Sequence, residues 1–355
     1  MAVAGRNKGV ELERQIGQML MVGFRGLSVD EGDPILRDIR EYGVGTVVLF
    51  DFDVTLQSGP RNIASLEQVE QLVASLQARA EREVLVCVDQ EGGRVCRIKE
   101  RLGFPALPSA QALGTADDGE ETARLAGAVA RALADLGIRF NLAPVVDVNL
   151  RPDNPVIGGN ERSFSADAEV VIRQARSFVE AHRRAGVLCA LKHFPGHGSS
   201  TADSHLGVAD VTDTWSPSEL EPYRRLLGEG GVDAVMTAHV FHRGLDPNHP
   251  ATLSSAILQG LLRDELGFEG VVVSDDMQMG AIANHYGFEQ ALRLAIEAGV
   301  DMIALANNTL YEPDVVPRAV AAIAGMVEAG QISRARIEAS CQRIERLRAG
   351  LEQCA

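Results

Sequence analysis

The sequence has 355 residues, of which 46% are hydrophobic and 23% are charged, as is usual for a globular enzyme. Its formal net charge of -15 argues against nucleic acid or an anionic membrane surface as a partner, because both would repel the chain. The sequence contains no apolar run that would predict a signal peptide or a transmembrane helix. We therefore predict a protein that acts on small molecules and does not engage a membrane.

The cysteines are informative about the compartment. Their number is odd and no C-x-x-C spacing occurs; they are Cys87, Cys96, Cys189, Cys341 and Cys354. This scattered pattern does not predict a disulfide framework and is typical of a reducing environment. We therefore predict a cytoplasmic location.

Short runs rich in valine, isoleucine and leucine recur along the chain, and each is followed by a helical pattern. The eight runs are Gln18–Phe24, Thr46–Phe50, Val84–Asp89, Phe140–Asp147, Leu188–Phe194, Ala234–Val240, Gly270–Asp275 and Asp301–Ala306. Nearly continuous apolar runs of this length are typical of strands buried on both faces of a parallel sheet. Eight such units predict an α/β fold, a single (β/α)8 TIM barrel over residues 1–355. A doubly wound open sheet is the alternative.

Amphipathic stretches separate these runs, and long insertions follow some of them. The predicted helices include Ser65–Glu81, Glu120–Leu136, Ala166–Ala185, Ser254–Leu266 and Phe288–Ala298, with Ser333–Gln353 as a final helix that covers the barrel. The insertions follow the second, fourth and fifth strands, at Asp51–Ala64, Val148–Ser165 and Pro195–Trp215. In a barrel these insertions lie on the C-terminal face, where active sites are found.

Polar residues interrupt the apolar runs at their C-terminal ends. The third to seventh runs end in Asp89-Gln90-Glu91, Asp147, Lys192-His193, His239 and Ser274-Asp275-Asp276, respectively. These ends meet on one face of a parallel barrel, where burying charges costs several kcal/mol each unless they are paired or used. We therefore predict the functional site at this face.

Asp275 is the candidate nucleophile. It follows Val271-Val272-Val273-Ser274, so a short ionised side chain stands at the mouth of a rigid strand. The alternative is that Asp275 or Asp276 caps the following helix. We assign the chemistry to Asp275 and place Asp276 nearer the cap.

The segment from Lys192 to His205 is the most specific motif. It leaves a strand and enters a loop of small residues, in which Pro195 allows a sharp turn. Asp203 and His205 are two residues apart, so in an extended chain their side chains leave the same side. A carboxylate beside an imidazole fixes its tautomer and raises its pKa, as a group that donates and then accepts a proton requires. His197 is expected to be structural.

The histidine spacings do not predict a metal site. His193 and His197 are four apart, and His239 and His242 are three apart, but both pairs straddle strand ends and do not share a helix face. No G-x-x-x-x-G-K-[ST] phosphate loop occurs, and the glycines at 43 and 45 run into a strand. We therefore predict neither a metal nor a cofactor.

Three cations complete the candidate site. Arg97, Arg162 and Lys192 could hydrogen-bond sugar hydroxyls or neighbouring carboxylates, whereas the alternative for each arginine is ordinary surface charge.

These motifs together resemble a known family. The blocks are Asp89-Gln90-Glu91-Gly92-Gly93-Arg94-Val95, Glu161-Arg162-Ser163-Phe164, Lys192-His193-Phe194-Pro195-Gly196-His197-Gly198 with Asp203-Ser204-His205, and Ser274-Asp275-Asp276-Met277. In this order they resemble the β-N-acetylhexosaminidases of glycoside hydrolase family 3, and the resemblance spans roughly Gln18 to Ala306.

The resemblance implies a retaining exo-β-N-acetylglucosaminidase that removes terminal β-linked N-acetylhexosamine by way of a glycosyl-enzyme. It implies Asp275 as nucleophile, His205 as acid/base and Asp203 as its orienting partner. It also implies that Asp89, Arg97, Arg162, Lys192 and His193 bind the terminal sugar. The implied substrates are peptidoglycan fragments, anhydromuropeptides, processed during cell-wall recycling.

Other functions stay open. A family 3 β-glycosidase or phosphorylase of different specificity would use the same barrel. A Schiff-base lyase would use Lys192, and a sugar-binding protein without turnover would need none of the catalytic set. Two segments, Ile16–Phe24 and Asp53–Pro60, depart from the compact members of the family.

Overall fold

The structure, a computed structural model, describes residues 2–203 and 207–352 and contains a parallel barrel. Its eight strands are Leu20–Gly23, Thr46–Leu49, Leu85–Val88, Phe140–Asn141, Leu188–Phe194, Ala234–Thr237, Val271–Val273 and Ile303–Leu305. Each strand pairs in parallel with the next along the chain, and the first pairs with the last, Leu20 opposite Ile303. A parallel bridge between Val273 and Met302 joins the seventh and eighth strands. The predicted (β/α)8 barrel is confirmed, and the open sheet is excluded.

The fourth strand is shorter than predicted. Its regular pairing ends at Asn141, because Pro144 has no N–H to donate to a ladder. The chain nevertheless stays beside the fifth strand, since the N–H of Val146 donates to the carbonyl of Lys192 at 2.8 Å. Asp147 is thereby held next to the end of the fifth strand.

Helices surround the barrel. They span Ala2–Gln18, Pro34–Tyr42, Leu66–Arg79, Ala110–Ala116, Gly119–Asp135, Ala168–Arg184, Glu221–Glu229, Gly280–Ala283, Phe288–Ala298, Val315–Glu328 and Arg334–Glu352, with a π-helical segment at Ala256–Glu265. Side-chain caps begin several of them; Ser65, for example, accepts from the N–H of Gln68. The predicted helices are all present, whereas Ala2–Gln18 was not predicted.

The last helix covers the N-terminal end of the barrel, as predicted. The fully buried Asp301, which precedes the eighth strand, accepts from Ser340 at 2.8 Å and from Arg343 at 3.2 Å. Arg348 of the same helix donates to the carbonyl oxygens of Gly45 and Glu83, ahead of the second and third strands. The opposite, C-terminal end is left for the functional site.

Two general predictions can be compared with the described residues. Among the helices in the described ranges, none is long and apolar enough to cross a membrane. The cysteines at 87, 96, 189 and 341 are all free thiols, whereas Cys354 lies outside the described residues.

Candidate active site

A cavity of about 450 Å³ opens among the C-terminal ends of the strands. Seven predicted site residues line it: Asp89, Arg97, Arg162, Lys192, His193, Asp203 and Asp275. The eighth, His205, lies outside the described residues. The position of the cavity agrees with the rule that barrel enzymes carry their chemistry on this face.

A cluster of buried charges forms one wall of this cavity. Lys192 Nζ lies 2.8 Å from Asp89 Oδ1 and 2.7 Å from Glu91 Oε1. Arg162 forms two hydrogen bonds of 2.8 Å to the carboxylate of Glu91. Arg97 Nη2 lies 3.2 Å from Asp89 Oδ2, while the buried Arg97 Nε has no hydrogen-bond partner among the described residues. The wall therefore presents paired charged donors and acceptors to the cavity.

The charges of this cluster stabilise one another. Burial alone would raise the pKa of Asp89, but Lys192 and Arg97 outweigh burial and lower it. Burial likewise opposes ionisation of Glu91, and Arg162 with Lys192 again makes the net shift of the pKa downward. The pKa of Lys192 is raised, because Asp89 and Glu91 outweigh its burial. All these groups are therefore charged at neutral pH.

The charge of Lys192 bears on the Schiff-base alternative. A lysine attacks a carbonyl only as the neutral amine, which requires a lowered pKa. Two carboxylates raise the pKa of Lys192, so they favour the ammonium form. The environment of Lys192 suits a hydrogen-bond donor and not a nucleophile.

Asp147 orients His193 and the loop that follows it. Asp147 is fully buried, and its Oδ2 lies 2.7 Å from His193 Nδ1. Its Oδ1 accepts from the backbone N–H groups of His193 and His197, at 3.1 and 2.8 Å. Burial would raise the pKa of Asp147, but His193 lowers it, so the carboxylate is ionised. An ionised Asp147 makes His193 Nδ1 the donor of that hydrogen bond, and His193 Nε2 lies 3.2 Å from Arg162 Nη2.

The start of the histidine loop is firmly packed. His197 is 1% exposed, and its carbonyl accepts from Asn154 Nδ2 at 2.7 Å. The N–H of Gly198 donates to Glu219 Oε2 at 2.9 Å, and a Cβ on Gly196 would lie only 2.6 Å from Glu219 Cβ. His197 also lines the cavity, and burial lowers its pKa to about 4. Its packing fits the structural role that we expected.

Asp275 stands where the seventh strand opens into the cavity. Its backbone N–H lies 3.4 Å from Thr237 Oγ1, and its Oδ1 accepts from the N–H of Asp276 at 2.8 Å. The prediction for Asp276 needs a correction. Asp276 Oδ1 accepts from the N–H groups of Gln278 and Ala306, so it caps a turn and ties it to the eighth strand; the next helix begins later, at Gly280.

A second layer of hydrogen bonds holds the end of the third strand. Asn141 Oδ1 accepts from the N–H of Gln90, and Asn141 Nδ2 donates to the carbonyl of Gln90, both at 3.0 Å. His182 Nε2 lies 3.0 Å from Asn141 Nδ2, while its Nδ1 lies 3.0 Å from the carbonyl of Phe178. Since Gln90 stands between Asp89 and Glu91, this network fixes the direction of both carboxylates.

The described residues contain no group of three metal-ligating side chains close enough to hold a metal ion. Both ring nitrogens of His239 lie within hydrogen-bond distance of protein oxygens. Nδ1 is 2.8 Å from Thr252 Oγ1, and Nε2 is 3.0 Å from the carbonyl oxygen of Asp276. Its role is to tie the sixth strand to the turn that follows Asp275.

Two central residues were not among the predicted site residues. Glu91 joins Arg162 to Lys192, and Asp147 joins His193 to the loop. Both had a signal in the sequence, since each acidic residue ends a buried strand. Their partners, however, are 46 to 101 positions away along the chain, and such pairs become visible only in the fold.

Known proteins with similar sequences are named as hexosaminidases. The chain is 31% identical to beta-hexosaminidase A of Pseudoalteromonas piscicida. The matched region covers 96% of this chain and 61% of that relative. It is 39% identical to a beta-hexosaminidase of Idiomarina loihiensis, covering 70% of this chain and 74% of the relative. The lengths of the relatives therefore differ, and the first extends well beyond this chain.

Solved structures share the fold. A glycoside hydrolase family 3 beta-N-acetylglucosaminidase from a Paenibacillus species is 38% identical, with a TM-score of 0.87, over 97% of this chain and 63% of that one. A beta-N-acetylhexosaminidase from Beutenbergia cavernae is 31% identical, with a TM-score of 0.83, over 96% and 98% of the two chains. Residues 11–347 match the family described as glycosyl hydrolase family 3 N terminal domain. The chain thus belongs to glycosyl hydrolase family 3, a family of glycosidases.

Proposed function

We propose that this protein hydrolyses terminal, non-reducing β-linked N-acetylhexosamine, with retention of configuration. The observation that carries the proposal is the placement of Asp275 and Asp203 in one cavity with the buried cluster of Asp89, Glu91 and Lys192. The cluster offers charged donors and acceptors to the hydroxyl groups of one sugar ring. The names of the relatives support the choice of N-acetylhexosamine.

The proposed reaction is a double displacement. The carboxylate of Asp275 attacks the anomeric carbon while His205 donates a proton to the leaving oxygen, so that a glycosyl ester forms and the aglycone departs. His205 then takes a proton from water, which attacks the same carbon and releases Asp275. Asp203, on the wall of the cavity, holds His205 in the tautomer that both steps need. His205 enters this proposal from its motif, since it lies outside the described residues.

Side-by-side hydrolysis of 4-nitrophenyl N-acetyl-β-glucosaminide and 4-nitrophenyl β-glucoside tests this proposal. We expect strong preference for the N-acetyl sugar, loss of turnover in Asp275→Asn, and full turnover in the matched variant Asp314→Asn, whose side chain is 72% exposed. The first-formed product should be the β-anomer by NMR. Preference for the glucoside would contradict the substrate, and full activity of Asp275→Asn would contradict the nucleophile. A phosphate-dependent release of sugar 1-phosphate would show phosphorolysis instead.

For the natural substrate we propose peptidoglycan fragments, anhydromuropeptides, in the cytoplasm. The motif resemblance supports the substrate, and the free thiols of the four described cysteines support a reducing compartment. We also propose that residues 1–355 act as one catalytic domain, since barrel strands and their loops supply the cavity-lining residues named above. The test is release of N-acetylglucosamine from a purified anhydromuropeptide compared with N,N′-diacetylchitobiose. A clear preference for chitobiose would contradict the peptidoglycan proposal.

A further inference from the structure

The loop after the second strand carries apolar side chains at the mouth of the cavity. Phe52 and Val54 both line the cavity, yet they are 41% and 40% exposed. They stand at its open side, whereas Glu91 and Lys192 lie deep inside with side chains only 4% and 3% exposed. Buried charges therefore line part of the inner end of the cavity, and apolar side chains form part of its outer rim.

Phe52 and Val54 flank a buried anchor in this loop. Asp53, which stands between them, forms an antiparallel bridge with Ser58 at the base of a turn over residues 54–57. Asp53 is 3% exposed and accepts from Arg25 Nε at 2.6 Å and from Arg61 Nη1 at 3.3 Å. With Asp53 anchored inside, the two apolar side chains are presented to the cavity.

The loop is fixed to the barrel on a second side. Arg61 is 3% exposed, and its Nη1 donates to Asn308 Oδ1 at 2.8 Å, beyond the eighth strand. The same Asn308 Oδ1 accepts from the N–H of Val54 at 3.0 Å, and the carbonyl of Asn308 accepts from the N–H of Thr55 at 3.2 Å. A pre-ordered apolar surface binds a ligand without the entropic cost of ordering a loop.

From this geometry we propose that Phe52 and Val54 form the subsite for the leaving group, the aglycone. The inference rests on the proposed exo-glycosidase function. Because the hydroxyl groups of the terminal sugar match the charged inner end, the group on the other side of the scissile bond must lie toward the open rim. The class of aglycone that fits this rim presents a C–H or aromatic face, such as a second pyranose ring or an aryl group.

The variant Phe52→Ala tests this subsite, with activity compared to wild type on three N-acetyl-β-glucosaminides: the 4-nitrophenyl glycoside, N,N′-diacetylchitobiose and the methyl glycoside. For each substrate, kcat/KM of the variant is divided by kcat/KM of the wild type, so that the intrinsic reactivity of the leaving group does not affect the comparison. We expect kcat/KM to fall roughly tenfold for the first two substrates and less than about twofold for the methyl glycoside. Inhibition by free N-acetylglucosamine, which occupies only the inner end, should keep its Ki.

Leu56→Ala is the matched control, since Leu56 is 59% exposed on the same loop but does not line the cavity. It should leave all three activities unchanged. An equal loss of activity on all three substrates in Phe52→Ala, or no loss on any, would overturn the subsite while the wild-type enzyme remained an N-acetylglucosaminidase. If the wild-type enzyme prefers glucosides, the proposed function is wrong. The corresponding 4-nitrophenyl, disaccharide and methyl β-glucosides then test the subsite independently of that function. Absence of hydrolysis in both series would overturn the two proposals together.

Discussion

Glu91 and Arg162 form a bidentate ion pair, with both N···O distances at 2.8 Å, between the end of the third strand and the loop after the fourth. Lys192 approaches the same carboxylate from the fifth strand at 2.7 Å. One side chain thus connects three consecutive β–α units of the barrel. Since Glu91 also lines the cavity, the pair is part of the wall that faces the sugar.

We expect Glu91→Gln to impair both stability and binding. The substitution preserves shape but removes the charge that offsets Arg162 and Lys192, and breaking a buried ion pair costs about 3–5 kcal/mol. Urea unfolding should show a loss of this order, and KM should rise more than kcat falls. Glu100→Gln, at an exposed position, is the control. An unchanged KM would show that Glu91 has no part in holding the sugar-binding cations.

Borohydride trapping should fail to modify Lys192. The ammonium form, favoured by Asp89 and Glu91, has no electron pair with which to attack a carbonyl. After incubation with substrate and borohydride, intact-mass spectrometry should therefore show unmodified protein. Lys192→Met should raise KM as a lost hydrogen-bond donor would. A reduced adduct mapped to Lys192 would revive the lyase alternative.

The eight strands could be predicted because each apolar run is short, rich in branched residues and followed by a helix signal. Polar residues at the ends of those runs, such as Asp89 and Asp275, were enough to predict the face of the active site. The connections within the site could not be predicted in this way. The partner of Glu91 is 71 positions away in Arg162, and that of Arg61 is 247 positions away in Asn308. No local pattern encodes such distances.

The resemblance and the geometry contribute different parts of the site. The roles of Asp203 and His205 depend on the motif, whereas the packing of the preceding loop on Glu219 emerged only from the fold. The insertion after the second strand likewise has a feature that only the fold reveals. Its exposed Phe52 has no sequence signature, and its position at the cavity became evident from the barrel.

Asp203→Ala should slow turnover by roughly 10²–10³, the usual contribution of a group that supports general acid–base catalysis. The loss should be greater for alkyl leaving groups than for 4-nitrophenol, because a good leaving group needs less protonation. The measurement is kcat/KM for both substrate classes, because it reports the step in which the leaving group departs, with Asp203→Asn to separate charge from shape. Equal losses on both classes would assign Asp203 to sugar binding and not to the proton transfer.

The raised pKa of the buried Glu219 predicts that the free energy of unfolding depends on pH. Burial is the main reason that its pKa is raised from 4.5 to about 7, although the hydrogen bond from Gly198 opposes the shift. Below about pH 4.5 the carboxyl is protonated in both the folded and the unfolded chain, so the full stability is present. As the pH rises to about 7, the unfolded chain releases the proton first, and folding stability falls.

Glu219→Gln should remove that loss, because the amide cannot ionise and its oxygen can still accept from Gly198. Relative to wild type, the variant should be little changed at pH 4.5 and should gain on the order of 3 kcal/mol at pH 8. Urea midpoints at the two pH values give the comparison. Asp38 and Asp233, whose pKa values are raised to about 6 mainly by burial, contribute equally to both proteins and cancel. Glu221→Gln, on the same segment but with a side chain that is 43% exposed, is the matched control. A variant that lost more stability at pH 8 than at pH 4.5 would instead show that Glu219 is ionised in the folded protein and that its charge supports the histidine loop.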